Sequence, residues 1–174
     1  MNDLIEILNE HDYDVPVKRL ENAIEKVLLM EALPENASLT VAIEDNEAVR
    51  VLNQQFRGID SATDVLSFPS GEVEFDDSSD NDDVVQEDFD EDDEIYLGDL
   101  AIAYPYAKAQ ADREGHDLAD SLVLLVVHGT LHLIGYDHDT PENRKQMWAV
   151  QGQILVELGV STAIVPALEG DLHA

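Results

Sequence analysis

The chain has 174 residues, long enough for one domain with a real core, and carries 39 acidic against nine basic residues for a net charge of −30. It has no cysteine, so disulfides and thiolate ligands are excluded and any metal must take nitrogen or oxygen donors. So few cations argue against a general nucleic-acid binder, whose phosphate contacts need Lys and Arg.

Asp3 and Glu6 stand where a secretion signal needs positive charge, and no apolar run approaches 18 residues. The expectation is a soluble, cytoplasmic protein with no membrane contact. Residues 3–8 read as a short strand. Pro16 is placed as a first helical residue, with Val17, Leu20, Ile24, Val27 and Leu28 at helical spacing up to the break at Pro34. Ser38 to Ile43 alternates, a strand burying Leu39, Val41 and Ile43. Asp45 or Asn46 can cap the next helix, whose Val49, Leu52 and Phe56 make one apolar stripe, most simply core.

That helix delivers Arg57 just before Gly58. Taken alone, Arg57 reads as a solvated surface residue, although its planar, permanently charged fork suits phosphate. Val65 to Pro69 reads as a strand closed by proline. From Glu72 to Glu94 the composition breaks: fourteen residues are Asp or Glu and none is Lys or Arg. Self-repulsion predicts an extended, disordered insertion there.

Ile95 to Ala103 reads as a strand interrupted near Gly98, Pro105 opens a helix to about Glu114, and Asp117 begins a central helix. Leu122 to Val127 is apolar all round, as a buried helix requires. Thr140 and Pro141 supply the cap and first residue of the last helix, with Met147, Val150, Ile154 and Leu158 as its buried stripe and Gly159 as its end. The tail from Ser161 is expected to fray. The class is therefore α+β: a small mixed sheet of about four strands packed by about five helices, in one domain over residues 1–160, with an acidic insertion at about 72–94 and a tail at 161–174.

The central helix ends in the stretch that organises the chain, His128 to Asp139. Residues i and i+4 share a helix face, separated by roughly 6 Å of rise, so His128 and His132 can aim at one point. Gly135 can turn the chain back, returning His138 as a third nitrogen donor. Three neutral imidazoles with one position left open describe a catalytic zinc centre, one ion per chain, rather than a closed structural one. His11, His116 and His173 lack ligand spacing and read as surface residues. Asp99, Asp137 and Asp139 are candidates for orienting the imidazoles, or for turns and caps.

The spacing parallels the H-E-x-x-H-x-x-G-x-x-H pattern of zincin-type metalloproteases, but Gly129 replaces the general-base Glu. The stretch resembles instead the H-G-x-L-H-L-x-G-Y-D-H signature of the YbeY family, bacterial endoribonucleases and rRNA maturation factors. Phe56-Arg57-Gly58, Thr63 to Pro69, and Leu97-Gly98-Asp99-Leu100 resemble the family as well. The resemblance implies a zinc-dependent, single-strand-specific endoribonuclease acting on small-subunit rRNA precursors and in ribosome quality control. It also implies the ribosomal small subunit as partner, with a ribosomal protein or an assembly GTPase as further candidates. It moves Arg57 towards a catalytic role on the scissile phosphate, with zinc on His128, His132 and His138. The proton acceptor stays open between a substrate phosphate oxygen, Asp99 and Asp139. Two other classes stay open beside it: a metal-dependent hydrolase of another substrate, and a non-catalytic, zinc-containing ribosome-assembly factor.

Overall fold

In the computed structural model, residues 4–70 and 95–164 are described; the acidic stretch 72–94 and the chain beyond 164 lie outside the described residues. The elements run β1 (Ile5–Leu8), α1 (Val17–Met30), β2 (Ala37–Glu44), α2 (Asn46–Arg57), β3 (Val65–Pro69), β4 (Ile95–Ala103), α3 (Tyr104–Glu114), α4 (Leu118–Leu133) and α5 (Pro141–Glu157), then a 3-10 turn at Thr162–Ile164. The strands form one sheet in the order β1-β2-β4-β3. β1, β2 and β4 run parallel, and β3 pairs antiparallel to β4 at the edge. The α+β class, the four-stranded mixed sheet and the five helices match the expectation.

Strand alternation on β4 explains the layering. Leu100 and Ile102 point into the large core shared by α1 and α4, whereas Ala101 and Ala103 join Val49 of α2 and Leu66 of β3. Both faces of the sheet are thus covered. Leu122 to Val127 are all buried, because α4 packs against α1, α3, α5 and the sheet at once. Burying each such aliphatic side chain contributes about 1.5–3 kcal/mol.

Gly98 sets how β3 and β4 meet. Ser38 pairs with Tyr96 but Thr40 with Asp99, so β4 carries one extra residue, and the expected interruption is a bulge inside a continuous strand. Gly98 has φ 141°, and a β-carbon there would stand 2.3 Å from the Phe68 carbonyl oxygen. Only glycine allows that approach.

Three local expectations need correction. Pro16 is the N-cap and the helix starts at Val17, since ψ of 72° at Pro16 is not helical. Phe56 is not core: it rests on Phe68 of the edge strand, beyond which no further strand covers it, and stays 66% exposed. The chain does not fray at Ser161, because Ile164 buries against the core.

Candidate metal centre

α4 begins at Asp117, whose carboxylate accepts from the Asp120 amide, and runs through its apolar segment to deliver His128 and His132 one turn apart. It ends in a Schellman motif: the Tyr136 amide donates to Leu131 O and the Gly135 amide to His132 O, with Gly135 at φ 108°. Tyr136 then ties the turn down through its hydroxyl to Glu31, the C-cap of α1. The reversal brings His138 back, and the three histidines present ring nitrogens that all lie within 4.8 Å of one another.

Two of the rings have an oxygen acceptor behind them, which favours the tautomer that ligates through Nε2. His128 Nδ1 faces the Gln151 Oε1 acceptor at 2.9 Å, and His132 Nδ1 faces the Tyr136 carbonyl at 3.0 Å. With the proton on both Nδ1 atoms, both Nε2 lone pairs point into the site, 3.1 Å apart. Two bare lone pairs at that distance repel unless a cation lies between them. Two imidazoles on a tetrahedral zinc would hold their nitrogens about 3.3 Å apart, so the donor set fits a metal. Burial pushes His128 down to about 3 and His132 down to about 4, with the neighbouring histidines adding to both shifts. The rings are neutral at physiological pH, the form that ligates.

Arg57 ends α2, where Gly58 at φ 71° caps the helix, and the Asn53 side chain donates to Ser61 O to hold the turn that follows. A cavity of about 680 Å³ is lined by Phe56, Arg57, the Thr63–Pro69 segment, His128, His132, Gly135, Tyr136, Asp137 and His138. Edge strand β3 is the wall between the end of α2 and the end of α4. Arg57 faces the triad across this space, and its charge adds to the forces keeping His132 neutral. Among the described residues Arg57 makes no ion pair, whereas Arg19, Lys26 and Arg50 each do.

The carboxylates are placed unequally. Asp99 accepts from the Tyr96 hydroxyl and does not line the cavity. Asp139 accepts from Asn143 Nδ2 at 2.8 Å and lines an adjoining hollow with Arg144, Lys145 and Trp148. Asp137 lines the main cavity and accepts from the His138 amide. None of the three hydrogen-bonds a ring of the triad. That role falls to Gln151 and to the Tyr136 carbonyl, which the sequence reading did not single out. Gln151 had a signal: it sits four residues after Met147 on the buried stripe of α5, a polar residue where an apolar one is expected. Of the other histidines, His11 is exposed, His116 is half-buried and His173 lies outside the described residues.

A four-stranded α+β core with three imidazoles converging where its central helix ends and the chain turns back defines a protein with a candidate site for one metal ion. A family model described as Endoribonuclease YbeY matches residues 6–159. An endoribonuclease YbeY of Geobacillus thermodenitrificans is 40% identical over 148 residues, 83% of this chain and 88% of that protein. One of Acetivibrio thermocellus is 38% identical over 164 residues, 92% and 94% of the two chains. A Thermotoga maritima protein solved in solution superposes with a TM-score of 0.56 at 28% identity, covering 96% of this chain and 97% of its own. The chain belongs to the endoribonuclease YbeY family.

Proposed function

We propose that this chain is a zinc-dependent endoribonuclease that cuts single-stranded RNA, acting in the cytoplasm on small-subunit rRNA precursors and in ribosome quality control. The observation that carries the reading is the convergence, in one cavity, of three imidazoles with Arg57. His128, His132 and His138 would hold the zinc, which would supply Lewis acidity to make water nucleophilic near neutral pH. Gln151 and the Tyr136 carbonyl keep the Nδ1 protons in place so that both Nε2 atoms stay available. The Arg57 fork grips the scissile phosphate and offsets the charge that develops on it.

Two observations favour this over its rivals. Among the described residues the cluster consists of three histidines, a ligand set that suits an open catalytic site better than a closed four-ligand one. A β-carbon at position 129 would stand 2.7 Å from Leu100 Cδ2, so a protease-type Glu there requires the buried Leu100 side chain to shift. No helix among the described residues is long and apolar enough to cross a membrane.

The test is purified protein, zinc-loaded or chelated, incubated with single-stranded and with structured RNA, beside His128→Ala as a control for contaminating nucleases. Zinc-loaded wild type should cut the single strand, and the chelated protein and the variant should not. Loaded protein that leaves both RNAs intact would remove the reading.

A further inference from the structure

We propose that Phe56 is a stacking platform for an unpaired nucleobase, and that this platform, rather than any base-specific contact, makes the cleft select single strands. The inference rests on the endoribonuclease reading above and deepens it. Among the described residues Phe56 is the one aromatic side chain counted with the exposed large hydrophobics, at 66% exposure. Its stripe partners behave otherwise, Val49 being fully buried and Leu52 partly buried. The ring is nevertheless held, edge to face against Phe68 with centroids 5.1 Å apart and planes at 65°. Phe68 is anchored in turn in the small cluster of Val49, Leu66, Ala101 and Ala103.

Position gives the ring its meaning. Phe56 and Phe68 line the same cavity as Arg57 and the three histidines. One nucleotide of a single strand presents a charged phosphate and a flat base, and consecutive residues here offer a cation and a π-face for those two parts. A base within a duplex is stacked on both faces and has none to give, so the platform admits an unpaired strand and refuses a helix. The chain is short of cations, with nine in 174 residues, so an apolar grip also supplies affinity that phosphate contacts alone cannot. Stacking is tolerant of sequence, since every base has a π-face.

The experiment measures initial rates of cleavage of a labelled single-stranded oligoribonucleotide by the zinc-loaded full chain at several salt concentrations. Phe56→Ala should raise KM by about 5- to 150-fold, the range for losing one stacked base. The rise should be similar at every salt, because stacking releases no counterions. Phe56→Trp should restore the wild-type KM, whereas Phe56→Leu, which keeps apolar packing on Phe68 but has no ring, should not. Zinc content should be equal in all four proteins. Wild-type KM in Phe56→Ala or Phe56→Leu would overturn the inference while leaving the endoribonuclease reading standing. A wild type that cuts no RNA would overturn both. Sedimentation showing that Phe56→Ala dissociates a wild-type dimer, with KM unchanged, would assign the face to a second copy and overturn it as well.

Discussion

Gly129 and Leu100 touch so closely that a β-carbon on the glycine would stand 2.7 Å from Leu100 Cδ2. Leu100 is fully buried between α4 and the sheet, so its side chain can make way only by repacking the core. The residue that departs from the protease-like pattern is therefore fixed by packing. Gly129→Glu, which would complete that pattern, adds bulk and a charge at a sealed interface, and should cost about 3 kcal/mol or more. For a chain of this size that is roughly 6–12 °C of Tm. Gly129→Ala should lose less, since about 1 kcal/mol of helix propensity offsets part of the overpacking. Thermal melts decide it, and a Glu variant melting within about 2 °C of wild type would contradict the packing account.

Zinc should be held at about one ion per chain, and His128→Ala or His132→Ala should lose most of it, since two imidazoles rarely suffice. Ligands from α4 and from the loop after Gly135 make the ion a cross-link in the folded state. At a free concentration about 1,000 times its Kd, zinc contributes about 4 kcal/mol, so chelation should lower Tm by roughly 8–16 °C. Metal analysis with melts before and after chelation checks both. Full zinc in either variant would dismiss these ligands.

Gln151→Leu should separate metal affinity from stability. The substitution leaves the His128 Nδ1–H without its acceptor, but it also removes Gln151 Nε2, which is buried with no partner among the described residues. The two effects are each about 1–3 kcal/mol and oppose one another, so the metal-free protein should melt near wild type. With its tautomer released, His128 should bind zinc about 10- to 100-fold more weakly. A competition titration against a chromophoric chelator reads this directly, and unchanged affinity would make Gln151 a packing residue only.

Local signals in the chain were legible because their causes are local. Asp45, Asp117 and Thr140 each cap a helix through a side-chain oxygen accepting the amide three residues on. The i, i+4 histidines and the glycine that follows them needed no tertiary knowledge. What escaped depends on distant partners. Gln151 meets His128 across 23 residues of sequence, and Phe56 looked like core because its stripe continues Val49 and Leu52. Its exposure follows from β3 lying at the sheet edge, which pairing decides. Asp99 is adjacent to Leu100 in a family-like segment, yet it accepts from the Tyr96 hydroxyl and does not line the cavity.

Arg57→Ala should retain zinc and fold while slowing RNA cleavage by about 10²-fold or more, the scale of one oriented charge at a transition state. The residue is exposed and makes no ion pair among the described residues, so little stability depends on it. Arg57→Lys should recover little, because a point charge cannot reproduce the two-pronged grip on phosphate. Turnover equal to wild type in Arg57→Ala would remove it from the mechanism.

The acidic stretch 72–94 supplies the last prediction. It carries fourteen of the chain's 39 acidic residues and is joined to β3, whose Pro69 lines the cavity, and to β4 at Ile95. A tethered polyanion can compete with RNA phosphates for a cation at high local concentration, even if each contact is weak. The plain alternative is that the stretch only keeps the protein soluble. Salt separates the two, since charges act over about 10 Å at 0.1 M and only a few Å at 0.5 M. Replacing 72–94 with a short Gly/Ser linker should leave zinc content unchanged and tighten binding of single-stranded RNA at low salt. That gain should shrink as salt rises towards about 0.5 M, because screening then weakens the polyanion in wild type as well. A linker variant that binds RNA no better than wild type at any ionic strength would show that the charge does not reach the cleft, leaving solubility as its role.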